Sequence, residues 1–290
     1  MTDIRRLKLV QESVPTLEGA GVRLRRVFGF GDTPGLDPFL LLDDFRGDNP
    51  DDYVAGFPWH PHRGIETITY MLEGKIEHGD SLGNRGTIGP GDVQWMTAGG
   101  GIIHQEMPAG DAQGRMGGFQ LWANLPRAQK MMDPRYREVP AREIPEAVVG
   151  GGVRIKVLAG RAAGLHGPVR DVVIEPLYLD VALPPGARFT QPIPRGHNAF
   201  AFVFQGRACF PAAAGRDETC VDHGALVVLG DGDEVRLTTR DETARLLLVA
   251  GKPLGEPVAW RGPIVMNTEA ELDQAFEDYR NGTFARPPAR

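Results

Sequence analysis

Two cysteines, Cys209 and Cys220, are all that this chain of 290 residues carries. A disulfide framework is thereby excluded, a single bridge is the most they can form, and the expectation is two reduced thiols in a cytoplasmic protein. No stretch approaches the roughly 18 consecutive apolar residues of a membrane-spanning helix. The opening "MTDIRRLKLVQESV" has neither an apolar core nor a small-residue cleavage site, so no secretory signal and no membrane partner are expected. Positive charge is in deficit: Lys and Arg number 32 against 38 Asp and Glu, a net charge of −6. That balance argues against direct nucleic-acid binding, and no basic nuclear-import run is visible. The local basic clusters, "IRRLKLV" and "RLRR" at 23–26, fit solvated strand faces.

Helical periodicity is almost missing as well. It is convincing only in "NTEAELDQAFEDYRNG", where Thr268 can cap, Glu271 follows three residues on, and Leu272, Phe276 and Tyr279 share a face before Gly282. What is abundant is turn chemistry, 38 Gly and 24 Pro, between short alternating runs such as "GIETITYML", "GGFQLWANL", "GVRIKVLAG", "NAFAFVFQG" and "GALVVLG". These runs predict an all-β chain of short strands with a short C-terminal helix.

A faint repeat divides it. "ETITYMLEGKIEH" followed by "GTIGPGDVQWMTAG" is echoed by "NAFAFVFQGRACF" followed by "DHGALVVLGDGDEVRL". Duplication of a β unit accounts for this, with the joint in the Pro- and charge-rich segment 131–145. The expected domains are 1–135 and 136–290.

The chemistry is concentrated in "HPHRGIETITYMLEG". Residues i and i+2 of a strand share a face, so His60 and His62 point the same way. "GGGIIHQEMP" repeats the arrangement with His104 and Glu106, after glycines that let the backbone turn closely. Strands facing one another inside a barrel would bring three imidazoles and one carboxylate together. That donor set suits a divalent transition metal such as iron, with coordination positions left open. The other histidines have duller expectations. His78, His166 and His223 read as loop residues, and His197 stands where the repeat places the ligand pair but is followed by Ala199 instead of a second ligand. The second unit is therefore expected to hold no metal.

The stretches "FPWHPHRGIETITYMLEG", "PGDVQWMTAGGGIIHQEM", "GFQLWANLP", "IPRGHNAFAFVFQG" and "VAGKPLGEPVAWRGPIVMNT" together resemble the pirin family of the cupin superfamily. The resemblance implies two tandem cupin barrels, with one mononuclear metal, usually iron, in the N-terminal one: the 1–135 domain binds metal and the 136–290 domain does not. It implies His60, His62, His104 and Glu106 as ligands, bound to one divalent metal, Fe(II) first among the transition metals. The general cupin pattern would offer Glu66 as the acidic ligand; Glu106 is preferred here, with Glu66 a supporting hydrogen-bonding group.

Bacterial members of the family resemble quercetinases, which implies a metal-dependent dioxygenase. Such an enzyme takes a small aromatic or flavonoid substrate and O2 and opens the flavonol ring with release of CO. Glu106, or failing it Glu66, would be the base for the 3-hydroxyl. Animal pirins imply the alternative, a non-enzymatic iron-dependent regulator with a protein partner, whether a transcription complex or a metabolic enzyme. The excess of Arg over Lys, with much Ala and Gly, points to a bacterial source. Phe57, Trp95, Met96 and Met266 are candidates for a cavity wall, each also an ordinary core residue, and the C-terminal helix would either shield the cavity mouth or pack on the barrel.

Overall fold

The alternating runs become strands almost throughout in the computed structural model, which describes residues 2–31, 35–170, 172, 174–212 and 218–285. The all-β expectation therefore holds, and the one α-helix among the described residues is Glu269–Arg280. Thr268 caps it by accepting from the Glu271 amide at 3.2 Å, Glu271 reaches back to the Asn267 amide, and Gly282 follows in the left-handed region at φ +73°. No described helix is long and apolar enough to cross a membrane.

The chain forms two compact units. One comprises 1–14, 31–38 and 142–254; the other 15–30, 39–141 and 255–290. The chain passes from one unit to the other between 141 and 142, since Arg135–Val139 still pairs with Val93–Thr97. Each end of the chain is tied into one of the units. Leu7–Glu12 pairs antiparallel with Ala225–Leu229, and Arg5 gives its guanidinium to the carbonyls of His197, Gly230 and Pro194 at 2.7–3.0 Å. Residues 255–285 are tied to the other unit by Arg63, which pairs with Asp278 at 2.7 Å, donates to the Phe284 carbonyl and stacks on the Phe284 ring.

In the unit built around 39–141, seven strands run in the order Arg135–Val139, Val93–Thr97, Ile65–Glu73, Gly117–Asn124, Phe39–Asp44, Val22–Phe28, Val14–Glu18. A second sheet of four runs Phe57–His62, Ile102–Ala109, Lys75–Asp80, Arg85–Ile88. Side chains from both sheets, among them Val22, Leu24, Phe45, Ile76 and Ile88, meet in one apolar cluster. The helix buries Leu272 and Ala275 against Ala259, Ile264, Met266 and Phe284, so it packs on the hairpin Ala259–Met266.

The other unit is a ten-stranded arrangement around an apolar core that includes Ala199, Ala201 and Val203. Asn198–Pro211 bends between its pairings at Gly206, φ +66°, as the first repeat turns at Gly74, φ +68°. Beyond that bend Cys209 stands directly opposite Cys220, and the two are joined as a disulfide. The expected pair of reduced thiols is thus corrected: 11 residues apart in sequence, they are brought face to face by the hairpin register.

Candidate metal centre

His60 and His104 are cross-strand partners, and His62 lies opposite Ile102 on the same ladder. The two motifs are hydrogen-bonded neighbours in one sheet, not strands facing each other across the barrel. Between His104 and Glu106 the register slips, since Glu106 pairs with Phe57 while His104 pairs with His60. The extra residue on the Phe57–His62 strand keeps both Phe57 and His60 on the inner face and leaves Trp59 half outside. Along Ile102–Ala109 burial alternates strictly, which puts His104 and Glu106 inward.

Nitrogens of His60, His62 and His104 lie within 4.8 Å of one another, and their ring centroids are 4.3–5.0 Å apart. The tautomers of two rings follow from their partners. His60 Nδ1 is 2.8 Å from the Pro58 carbonyl and His62 Nδ1 is 3.0 Å from that of Pro263. A carbonyl only accepts, so each Nδ1 carries the proton and each Nε2 keeps a bare lone pair. Those two Nε2 atoms face each other at 3.1 Å. His104 is fully buried, and neither of its ring nitrogens has a hydrogen-bond partner. Burial pulls all three imidazoles below their ordinary pKa, His62 to about 3, so they are neutral at physiological pH. Converging lone pairs on buried, neutral nitrogens are unfavourable by themselves and are what a soft-to-borderline cation requires. The residues present fit a divalent transition metal.

Glu106 stands outside that close nitrogen group. It lines the same cavity, is 6% exposed, accepts a long 3.4 Å hydrogen bond from Thr69 Oγ1, and is pushed up to about 7 by burial. Glu66 points elsewhere. The turn at Arg63–Gly64, with Gly64 at φ +79°, breaks the even spacing from His62, and Glu66 accepts from Thr97 Oγ1 at 2.6 Å in the core. Thr67 and Thr69, by contrast, pair with Trp122 and Gln120, which face the cavity.

The cavity holds about 800 Å³ and opens beside His60, His62 and Glu106. Phe57 does line it; Trp95, Met96 and Met266 are core. The hairpin residues Trp260–Pro263, not the helix, form its C-terminal wall. Trp122 stands edge-on to His62 at 5.0 Å, with Trp260 6.0 Å further out. Sequence reasoning missed Trp122, Gln120 and Asp43; the alternation in "GGFQLWANL" carries the parity of the first two, whereas "FLLLDD" has no alternation to place Asp43.

His78 is also corrected. It is buried on a strand, directly opposite Glu106, with Nδ1 3.0 Å from the Tyr136 hydroxyl and Nε2 2.6 Å from Glu138. His166 and His223 are exposed, and His197 is half-buried with its carbonyl bound by Arg5.

The chain matches the family model "Pirin" over residues 21–123 and "Pirin C-terminal cupin domain" over 178–285. It is 48% identical to a pirin-like protein of Caulobacter vibrioides over 96% of this chain and 98% of that one. It is 43% identical to Pirin of Homo sapiens over 91% and 88% of the two chains. Among solved structures it superposes on a quercetin 2,3-dioxygenase from Acinetobacter baumannii with a TM-score of 0.86 and 31% identity, covering 97% and 98% of the two.

Proposed function

The chain belongs to the pirin family, with its two cupin domains, and from that premise we propose that it is a metal-dependent dioxygenase of quercetin-type flavonols, consuming O2 and releasing CO. The observation that carries the reading is the coincidence, at one end of an aromatic-walled cavity of about 800 Å³, of three neutral imidazoles and one buried carboxylate. The likeness to the Acinetobacter enzyme supports it.

In this reading His60, His62 and His104 hold the metal through nitrogen, with Glu106 as the oxygen ligand, and the expected ion is Fe(II). When bound, the metal supplies Lewis acidity that makes a phenolic hydroxyl easier to ionise. Glu106 takes the 3-hydroxyl proton. Thr69 stands beside Glu106, its hydroxyl oxygen 3.4 Å away. Trp122, Phe57 and Trp260 hold the flat substrate and keep water from the reacting carbon.

The test is oxygen uptake on quercetin by protein whose metal has been counted and replaced with Fe(II). Iron-dependent uptake with CO release that disappears in His62→Ala is the expected result. A full iron complement with no uptake and no CO would overturn the dioxygenase reading and shift the site to a regulatory, partner-binding role.

A further inference from the structure

One row of polar residues crosses the seven-stranded sheet on its cavity face. Gln94 pairs with Thr69, Thr69 with Gln120, Gln120 with Asp43, and Asp43 with Arg26. Directly paired residues share a face, so these five side chains form a ladder one strand apart at each step. Its inner end touches the candidate metal centre: Thr69 Oγ1 lies 2.6 Å from Gln120 Oε1 and 3.4 Å from Glu106. Its outer end is a charge cluster. Arg26 binds Asp43 through Nε and Nη2 at 2.9 and 2.8 Å, and the same Nη2 is 2.8 Å from Glu18. Three strand spacings separate Thr69 from Arg26, about 14 Å, and Asp43 is roughly 10 Å along.

Gln120, Asp43, Arg26 and Glu18 all line the cavity, whose wall between them is otherwise apolar, with Leu24 and Leu41 adjacent. Two carboxylates about one guanidinium leave a net negative, acceptor-rich surface. Each Asp43 oxygen uses one lone pair on Arg26 and has another to offer. In an apolar cavity such acceptors favour a neutral ligand that brings hydroxyl donors, and they oppose an anionic one.

We propose that the Asp43–Arg26–Glu18 cluster, with Gln120, recognises hydroxyl groups on the substrate ring that lies away from the histidines. The pocket is thereby selective for a hydroxylated pendant ring over a bare one. The inference rests on the flavonol reading above and names the determinant of specificity within it.

The test is anaerobic calorimetric binding to the metal-loaded protein, with quercetin and with galangin, which shares the flavonol core but lacks both pendant-ring hydroxyls. Quercetin is expected to bind about 10-fold or more tightly. Asp43→Asn is expected to bring the two ligands within about threefold while leaving galangin nearly unchanged. Should that variant not fold, Glu18→Gln, at a half-exposed carboxylate, is expected to narrow the ratio at least about threefold. Equal affinities in the unaltered protein would overturn the assignment yet leave the flavonol reading standing. So would a preference that persists undiminished in the variants that fold. Binding of neither flavonol would remove the flavonol reading, and this inference with it.

Discussion

The Nδ1 of His62 lies 3.0 Å from the carbonyl of Pro263, 201 residues further along the chain. That contact fixes which nitrogen is protonated, and so turns Nε2 toward His60 and His104. A candidate ligand in the first half of the sequence is thus oriented by the hairpin Ala259–Met266, inside the same compact unit. The expected outcome in metal-free protein is the Nδ1–H tautomer for both His60 and His62, read from imidazole 15N shifts. Added Zn(II) or Fe(II) should then shift the Nε2 resonances. A protonated Nε2 on His62 at pH 8 would contradict the geometry.

Lys130 makes the same connection from the other side. Buried at 1% exposure, it gives its three ammonium hydrogens to the carbonyls of Gly64 and Val265 and to Asn124 Oδ1, at 2.6–2.9 Å. Burial pulls its pKa down to about 7, but three acceptors are filled only by the charged form. Lys130→Met keeps the stem and strips every donor, leaving the acceptors unfilled. A loss of roughly 2–4 kcal/mol in denaturant unfolding is expected. Because Gly64 adjoins the ligand strand, weaker metal retention should accompany it. A change below about 0.5 kcal/mol would show the network to be dispensable.

Gly64 itself permits no side chain. Its φ is +79°, and an added Cβ would collide with the Val265 carbonyl. Gly64→Ala should therefore displace either the ligand-bearing turn or the hairpin that orients His62. Lower metal stoichiometry and a stability loss of roughly 2–4 kcal/mol are expected. Gly164→Ala, at φ +76° with open space around it, is the control for backbone strain alone. If both variants bind metal equally, the close approach at Gly64 has no role in the site.

The parts of this molecule legible in the sequence were those with a local period. Strand alternation exposed the all-β class, and the two i,i+2 pairs exposed His60, His62, His104 and Glu106 as inward residues. The capping of Glu269–Arg280 was equally local. What stayed hidden depends on pairing between distant strands. Cys209 and Cys220 are joined by a register that no spacing reveals. His78 looked like a loop residue because its neighbours are polar, yet it is buried on a strand opposite Glu106 while Glu77 beside it points to solvent. Glu66 kept an even spacing from His62 that a single glycine turn cancels. The row from Thr69 to Arg26 draws on four strands, each contributing one unremarkable residue.

Acid should unfold the metal-free protein through the three clustered imidazoles. His62 and His104 are buried with pKa values depressed below 6.5, His62 to about 3. Below pH 6.5 the unfolded chain binds protons there that the folded chain does not, so each group's contribution to stability is lost as pH falls. Glu106 acts in the opposite sense. Raised to about 7 from 4.5, it is protonated in the folded chain and ionised in the unfolded one between those values, which adds stability as pH falls. The three depressed imidazoles, His60 included, outnumber the one raised carboxyl among them, so this site loses stability as the pH falls from 6.5 to 4.5. Denaturant midpoints of metal-free protein across pH 5–8 should show that decline, and His104→Gln should flatten it by about one group's share. Saturating Zn(II) should stabilise the folded chain most at pH 7–8, where the nitrogens are free of protons in both states, and less on acidification as the unfolded histidines take up protons. A flat profile in both the parent and His104→Gln would mean that the three rings are not held neutral, and the converging lone pairs that mark this site would be gone.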